Sequence, residues 1–274
     1  MIDAVIIGGG PGGISAGLTL RQRGKTVVIV TAGEEASNLY KAEKVDNYPG
    51  IPGVSGQEML DAMIKQAEDQ GVEFRKGHAT SIIPMGSRFG VAVGNSYVDA
   101  GCVILTTGIS MGKPYPGEAE YLGRGVSYCA TCDGMMYRGK TVAVIGLCSD
   151  ARSEAEFLSG IGCNVEYFDK TRAKKYEVKG ERTVTALAAD GVEYPVNGVF
   201  ILRAGVAPDL LLPGLQTERG AIAVDRNMQT NLPGVFAAGD CTGAPYQLPK
   251  AVGEGNIAAL SAVKYLDMIA KEKK

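Results

Sequence analysis

The chain has 274 residues, 45% of them hydrophobic and 21% charged, with a formal net charge of −2. That is enough chain for two modest domains with packed cores, and the charge balance gives no electrostatic reason to expect nucleic acid or an anionic membrane as a partner. No apolar run approaches the roughly 20 residues of a membrane span, and the opening MIDAVIIGGG lacks the basic start and cleavage site of a signal peptide. A soluble, cytoplasmic protein is expected.

In chain order, Asp3–Gly8 is a buried-strand run, followed by GGGPGG and a helical pattern through Ile14, Leu18 and Leu20. Thr26–Val30 is the next strand, so the chain opens with a strand, a glycine loop, a helix and a strand. Ser37–Gly53 is irregular, with turns at YPGIPG. Gly56–Gln70 has helical spacing through Met59, Leu60, Met63, Ile64 and Ala67. Val72–Val98 reads as short strands with turns at Met85–Gly86 and Gly94–Asn95, and Cys102–Thr106 as a separate buried strand. A Pro/Gly-rich linker follows at Gly112–Gly117. Thr141–Gly146 is a second strand running into a glycine, then come a helix at Asp150–Ile161 and a strand at Asn164–Phe168. Arg182–Ala188 and Glu193–Val196 read as a hairpin. Val199–Leu202 is a strand, AGVAPD a second linker, Gly220–Val224 and Val235–Gly239 are strands, and a last helix runs from about Gly253.

Two glycine loops therefore follow strands, near residues 8 and 146, and the second unit is inserted in the sequence of the first. The first loop, Gly8, Gly10 and Gly13, is GxGxxG in the setting that brings a pyrophosphate to a helix N-terminus. The acid expected after the next strand is missing: Thr31 and Ala32 stand there, with Glu34 and Glu35 beyond. Alone, the motif is also compatible with an ordinary α/β turn. Near the C-terminus, LPGVFAAGD is a turn, a buried strand, then Gly239 and Asp240. Asp240 also fits a plain helix cap.

Of the six cysteines, only Cys129 and Cys132 are closely spaced, in YCATCDG. Two intervening residues let the sulfurs reach disulfide geometry, and a helix start lowers a thiol's pKa. Asp133 is placed to shuttle a proton, or simply to serve a turn. A structural zinc site needs four ligands, commonly as two close pairs. There is no second CxxC, and the single histidine, His78, is distant in sequence, so no metal is expected. Cys102, Cys148, Cys163 and Cys241 read as small buried residues.

GGGPGG, VDNYPG, TTG, CATCDG and GVFAAGD stand in the order seen in low-molecular-weight thioredoxin reductases, and the chain resembles that family over nearly its whole length. The resemblance implies an α/β protein of two Rossmann-like domains, the second inserted in the first: residues 1–111 with 209–274 for FAD, and 112–208 for the insert that carries the CxxC. It implies a homodimer whose Cys129–Cys132 disulfide takes electrons from FAD and passes them to thioredoxin, with Cys132 nearer the flavin and Cys129 attacking the substrate. Carried over residue by residue, FAD contacts fall on Gly8, Gly10, Pro11, Gly12, Gly13, Thr31, Asn38, Asn47, Ala79, Thr107, Gly108, Gly239, Asp240, Gln247, Leu248, Lys250 and Ala251.

Three features depart from that pattern. The second loop reads Gly146-Leu-Cys-Ser-Asp-Ala, so Cys148 stands where a glycine admits a pyrophosphate, and Asp150 adds negative charge. Where the family has HRR to grip a 2′-phosphate, this chain has Asp169-Lys170-Thr171; Asp169 repels a 2′-phosphate, although it lies where an NAD-type ribose acid would. The stretch from Phe168 to Arg182 is too short for a crossover with its own strand, so the insert is truncated. The basic run Arg172–Lys175, with Lys179 and Arg182, reads as a solvated face or a docking patch. These departures resemble the ferredoxin-dependent flavin thioredoxin reductases, in which ferredoxin supplies electrons singly to FAD. Nicotinamide use through a divergent pocket, and a flavin-binding redox sensor without turnover, are the competing readings.

Overall fold

The computed structural model describes residues 1–94, 96–108, 114–128, 130–148, 151–169, 171–203 and 208–272, apart from the side chains of Cys132 and Glu272. The chain forms two compact units, Met1–Ser110 with Ala207–Lys274, and Met111–Val206. No described helix is long and apolar enough to cross a membrane.

The first unit opens with β1 (Ile2–Ile7), α1 (Pro11–Gln22), β2 (Val27–Thr31), α2 (Gly56–Asp69), β3 (Glu73–Lys76), β4 (Ala79–Pro84), β5 (Phe89–Val93) and β6 (Ser96–Leu105). α2 starts at a capping box, Ser55 with Glu58, which satisfies orphan amides at its first turn. The strands order β3-β2-β1-β6-β5-β4, with the last two antiparallel. The two separate segments expected at Val98 and Cys102 are one strand, β6. Its first half alternates, with Asp99 exposed and Val98 and Ala100 buried against β5; its second half is continuously buried beside β1. Asp99 and Gly101 therefore mark a change of sheet environment, not a break.

The second unit holds β7 (Val126–Ser127), α3 (Ala130–Asp133), β8 (Thr141–Gly146), α4 (Ala151–Gly160), β9 (Asn164–Phe168), β10 (Tyr176–Gly180), β11 (Val184–Ala189), β12 (Val192–Pro195) and β13 (Gly198–Leu202). A parallel sheet orders β7-β13-β8-β9, and β10-β11-β12 form a separate antiparallel sheet. The expected two-stranded hairpin thus has a third strand. β10 hides among charges, yet it alternates: Tyr176 and Val178 are buried and Glu177 is exposed. Beyond β8-α4-β9 the chain turns directly into this second sheet, so the insert carries a single strand–helix–strand crossover and is truncated.

The chain then returns to the first unit through α5 (Pro208–Leu211), β14 (Thr217–Glu218), β15 (Ala221–Ile222), β16 (Val235–Ala237) and α6 (Leu248–Glu272). The strand expected at Gly220–Val224 is only the short β15. β16 pairs in parallel with the buried end of β6. α6 begins five residues before the expected Gly253, because Pro249 falls in its first turn, where a missing N–H is harmless. Of its glycines, Gly255 serves packing. The Ser15 hydroxyl donates to Val252 O at 2.7 Å, and the Asn256 amide donates to Thr19 Oγ1 at 2.9 Å. Between them Gly255 sits against the Gly12 backbone, where a Cβ would overlap the Gly12 carbonyl oxygen and lie 2.9 Å from its carbon. Gly255→Ala gains about 1 kcal/mol of helix propensity but forces α6 off α1, so the expected outcome is a lower melting temperature in thermal unfolding.

Candidate active site

Two glycine loops and one cysteine pair make up the candidate chemistry. At the first loop, Gly8 has φ +119°, and a Cβ there would overlap Thr106 O. Thr106 is buried and its hydroxyl reaches Gly8 O at 2.9 Å. Gly13 packs on the Gly8 carbonyl with no room for a side chain, which fixes the tight strand-to-helix turn. Gly10 differs: it faces open space, and a Cβ placed on it would find its nearest neighbour, Ser37 Oγ, 3.7 Å away. Gly10 also caps α1 without a side-chain hydrogen bond, Pro11 leads the helix, and no acid stands in its first turn. An uncapped helix start beside open backbone suits a diphosphate, so the residues present fit FAD. Thr31 closes one side, with Oγ1 accepting the Gly33 amide at 3.1 Å.

The C-terminal segment forms the facing wall of the same unit. Gly239 N donates to Glu254 Oε2 at 2.8 Å, and Lys250 Nζ donates to Gly239 O and Gly243 O at 2.9 and 2.6 Å. Lys250 and Glu254 pair at 3.2 Å, so the first turns of α6 clamp the Gly239–Thr242 turn. Asp240 lies in that turn; burial pushes its carboxyl pKa up, with Lys250 opposing and Glu254 adding. Asn47 Nδ2 donates to Gln247 Oε1 at 2.9 Å, bringing together two expected flavin contacts 200 residues apart. Leu248 opens α6, and Ala251 is buried with its carbonyl oxygen 3.1 Å from a Cβ at Gly12. Asn38 is exposed in an irregular turn, Ala79 is buried at the head of β4, and Thr107 and Gly108 follow β6. Cys241 is structural: its pKa is pushed up to about 11 by burial.

In the second unit Cys129 lies outside the described residues, as does the Cys132 side chain. Their surroundings are described. α3 runs through Cys132 and ends on Asp133. Ser127 Oγ donates to Asp133 Oδ2 at 2.7 Å, and the Ala130 amide donates to Glu154 Oε2 at 3.0 Å, so both ends of the short helix are tied. Before the pair, the Tyr128 hydroxyl donates to Glu118 Oε1 at 3.0 Å. Glu118 is 1% exposed and forms a bidentate pair with Arg203, whose guanidinium stacks 4.9 Å from the Tyr115 ring. Sequence reasoning missed Ser127, Glu154 and this ion pair. The signal for the last was an arginine ending the apolar run VFILR, a charge that must find a buried partner.

In the second glycine loop Gly146 is packed as tightly as Gly8 is in the first, and Cys148 stands in the place of Gly10. Tyr167 on β9 places its hydroxyl against Gly146, and its Cζ would lie 2.7 Å from a Cβ there. The Arg152 guanidinium stacks 4.5 Å from the Tyr167 ring. Burial raises the Tyr167 pKa, with Arg152 opposing. Cys148 is half-buried rather than buried, and Asp150 lies outside the described residues. Asp169 accepts the amides of Thr171 and Arg172 and the Thr171 hydroxyl. These bonds, the Thr171 hydroxyl first, hold its carboxyl below the usual range. The basic run is engaged locally: Arg172 pairs with Glu166 at 2.7 Å and Lys179 with Glu193 at 2.6 Å, which matches a solvated face.

The chain matches the family model described as pyridine nucleotide-disulphide oxidoreductase over residues 2–172 and 164–255. It belongs to that family. It is 34% identical to a thioredoxin reductase of Aquifex aeolicus, over 96% of this chain and 93% of the relative. That alignment spans 302 positions, more than the chain's length, so the relative has segments this chain lacks. Among solved structures it is similar to a ferredoxin-flavin thioredoxin reductase from Clostridium acetobutylicum, with TM-score 0.91, 37% identity and 98% of each chain covered. A thioredoxin reductase from Gloeobacter violaceus has TM-score 0.83 and 31% identity over 97% of this chain and 95% of that one. The class is thus a flavin-dependent disulfide oxidoreductase, and FAD is the cofactor of the family's thioredoxin reductases.

Removing Glu118 would strand the Arg203 charge in the second unit's interior. Glu118→Ala is expected to cost about 3–5 kcal/mol in denaturant unfolding, and adding Arg203→Met should recover part of it.

Proposed function

We propose that the chain is a thioredoxin reductase that receives electrons from reduced ferredoxin through FAD and passes them by way of Cys129 and Cys132 to thioredoxin. The loop at Gly146 carries the choice of donor: Cys148 stands where a second glycine would admit a pyrophosphate, and Tyr167 packs against Gly146. The likeness to the Clostridium acetobutylicum enzyme supports the same donor. On this reading residues 1–111 with 209–274 hold FAD, 112–208 form the degenerate insert, and the enzyme works as a cytoplasmic homodimer.

The backbone around Gly10 and the first turn of α1 would hold the diphosphate of FAD. Asp240 would accept from its ribityl hydroxyls, and Asn47, Gln247 and Lys250 would contribute to holding the flavin. Bound FAD supplies the chemistry that accepts electrons singly and delivers them as a pair. Two reduced ferredoxins give the two electrons that break the Cys129–Cys132 bond, and two protons complete the dithiol. On this proposal Cys132 is the thiol that exchanges with the flavin. Cys129 attacks the thioredoxin disulfide, and Cys132 then resolves the mixed disulfide and leaves thioredoxin as a dithiol. Asp133 carries a proton during the exchange.

The test is anaerobic. Oxidised holoenzyme is mixed with reduced ferredoxin, NADPH or NADH while the flavin visible band is followed. Bleaching by ferredoxin alone is expected, and rapid bleaching by a nicotinamide would overturn the proposed donor. No bleaching with any donor, or no thioredoxin turnover after chemical reduction, favours a redox sensor. Cys132→Ser should abolish turnover while the flavin stays bound. Gly10→Val should fold, since its Cβ would make only an ordinary contact with Ser37 Oγ, yet purify without flavin, as read from the visible spectrum.

A further inference from the structure

Asp133 is tied down by a residue that the reaction scheme leaves unused. Ser127 is 3% exposed at the end of β7, and its hydroxyl donates to Asp133 Oδ2 at 2.7 Å. A small polar side chain is buried at a loss unless its hydrogen bonds are made. Here the bond crosses from a strand of the parallel sheet to the last residue of the helix that contains Cys132. β7 is held in its turn by β13, with Val199 opposite Val126 and Phe200 opposite Ser127. The serine is therefore fixed by the sheet and the aspartate by the serine. No described residue donates a hydrogen bond to Asp133 Oδ1, so one carboxylate oxygen is anchored and the other is left to act.

We propose that Ser127 is a positioning residue for the exchange step: its hydroxyl anchors Asp133 Oδ2 and leaves Oδ1 as the oxygen that carries the proton. This rests on the reading of Cys129, Cys132 and Asp133 given above. When the Cys129 thiolate attacks the thioredoxin disulfide, one thioredoxin sulfur leaves with the bonding electron pair. When Cys132 resolves the mixed disulfide, the second sulfur leaves in the same way. Asp133 donates one proton from Oδ1 to a departing thiolate, becomes a carboxylate, and is reprotonated from water. No electrons pass through it. Without the anchor the carboxyl rotates about its side-chain torsions, and the fraction of encounters with the acid in place falls.

The test starts from holoenzyme reduced with dithionite and mixed with oxidised thioredoxin, so it does not depend on the natural donor. Ser127→Ala is expected to lower the limiting exchange rate about tenfold, part of the 10²–10⁴ that a placed acid contributes. The thioredoxin concentration for half-saturation, the flavin content and the melting temperature should stay unchanged, and the solvent deuterium isotope effect should rise. Ser127→Thr keeps the hydroxyl and should restore the rate. An unchanged rate in Ser127→Ala, or equal losses in Ser127→Ala and Ser127→Thr, would overturn the proposal. Asp133→Asn separates the two levels. If it exchanges at the wild-type rate, the reading of Asp133 itself fails; if it is slow while Ser127→Ala is normal, only the role of Ser127 fails.

Discussion

The α carbon of Gly255 lies against the Gly12 carbonyl oxygen, and this backbone-to-backbone approach lets one compact unit be built from two distant stretches of chain. α1 and α6 meet there with no side chain between them, and the bonds from Ser15 and Asn256 fix their sliding register. β16 completes the closure beside β6, with Val103 N donating to Gly234 O at 3.0 Å. Because α6 cannot shift on α1, the turn it clamps through Lys250 and Glu254 keeps Asp240 in one place. The N-terminal glycine cradle and the C-terminal acid thus belong to one rigid assembly, although the inserted unit separates them in sequence.

Much of this architecture is legible in the sequence because it rests on local rules. The strand–glycine–helix start, the second start near Gly146 and the buried run before Gly239 each need only neighbouring residues to be recognised. Sequence and structure part where tertiary contact overrides local pattern. Gly253 reads as a helix boundary but lies inside α6, which starts at Leu248, and Gly255 is held to glycine by packing on α1. Asp99 reads as an interruption, although an exposed position on the antiparallel half of β6 accepts it. At the site, glycine cradle residues and the cysteine spacing carry their own signature. The groups that support them do not: Glu118 and Arg203 are 85 residues apart, and nothing local pairs Glu154 with the Ala130 amide.

The two glycine loops share one local motif but differ at its second glycine position. Around Gly10 the backbone faces space and the helix start is uncapped. In the second loop the first glycine, Gly146, is packed by the Tyr167 ring as Gly8 is packed by Thr106, and Cys148 stands in the place of Gly10. Arg152 of α4 stacks on the Tyr167 ring, so the β9 side of the second loop is held by side-chain packing.

Shortening the insert leaves β9 as the last strand of its parallel sheet. An outermost strand with bare peptide groups is a template for pairing with another chain. Arg172 shields this one: it folds back over the Phe168 ring at 4.1 Å, pairs with Glu166, and donates to the Tyr167 carbonyl at 2.6 Å. A single guanidinium thus covers an edge carbonyl and places a charge along the rim. A residue that first reads as part of a basic stretch guards a trimmed domain against aggregation.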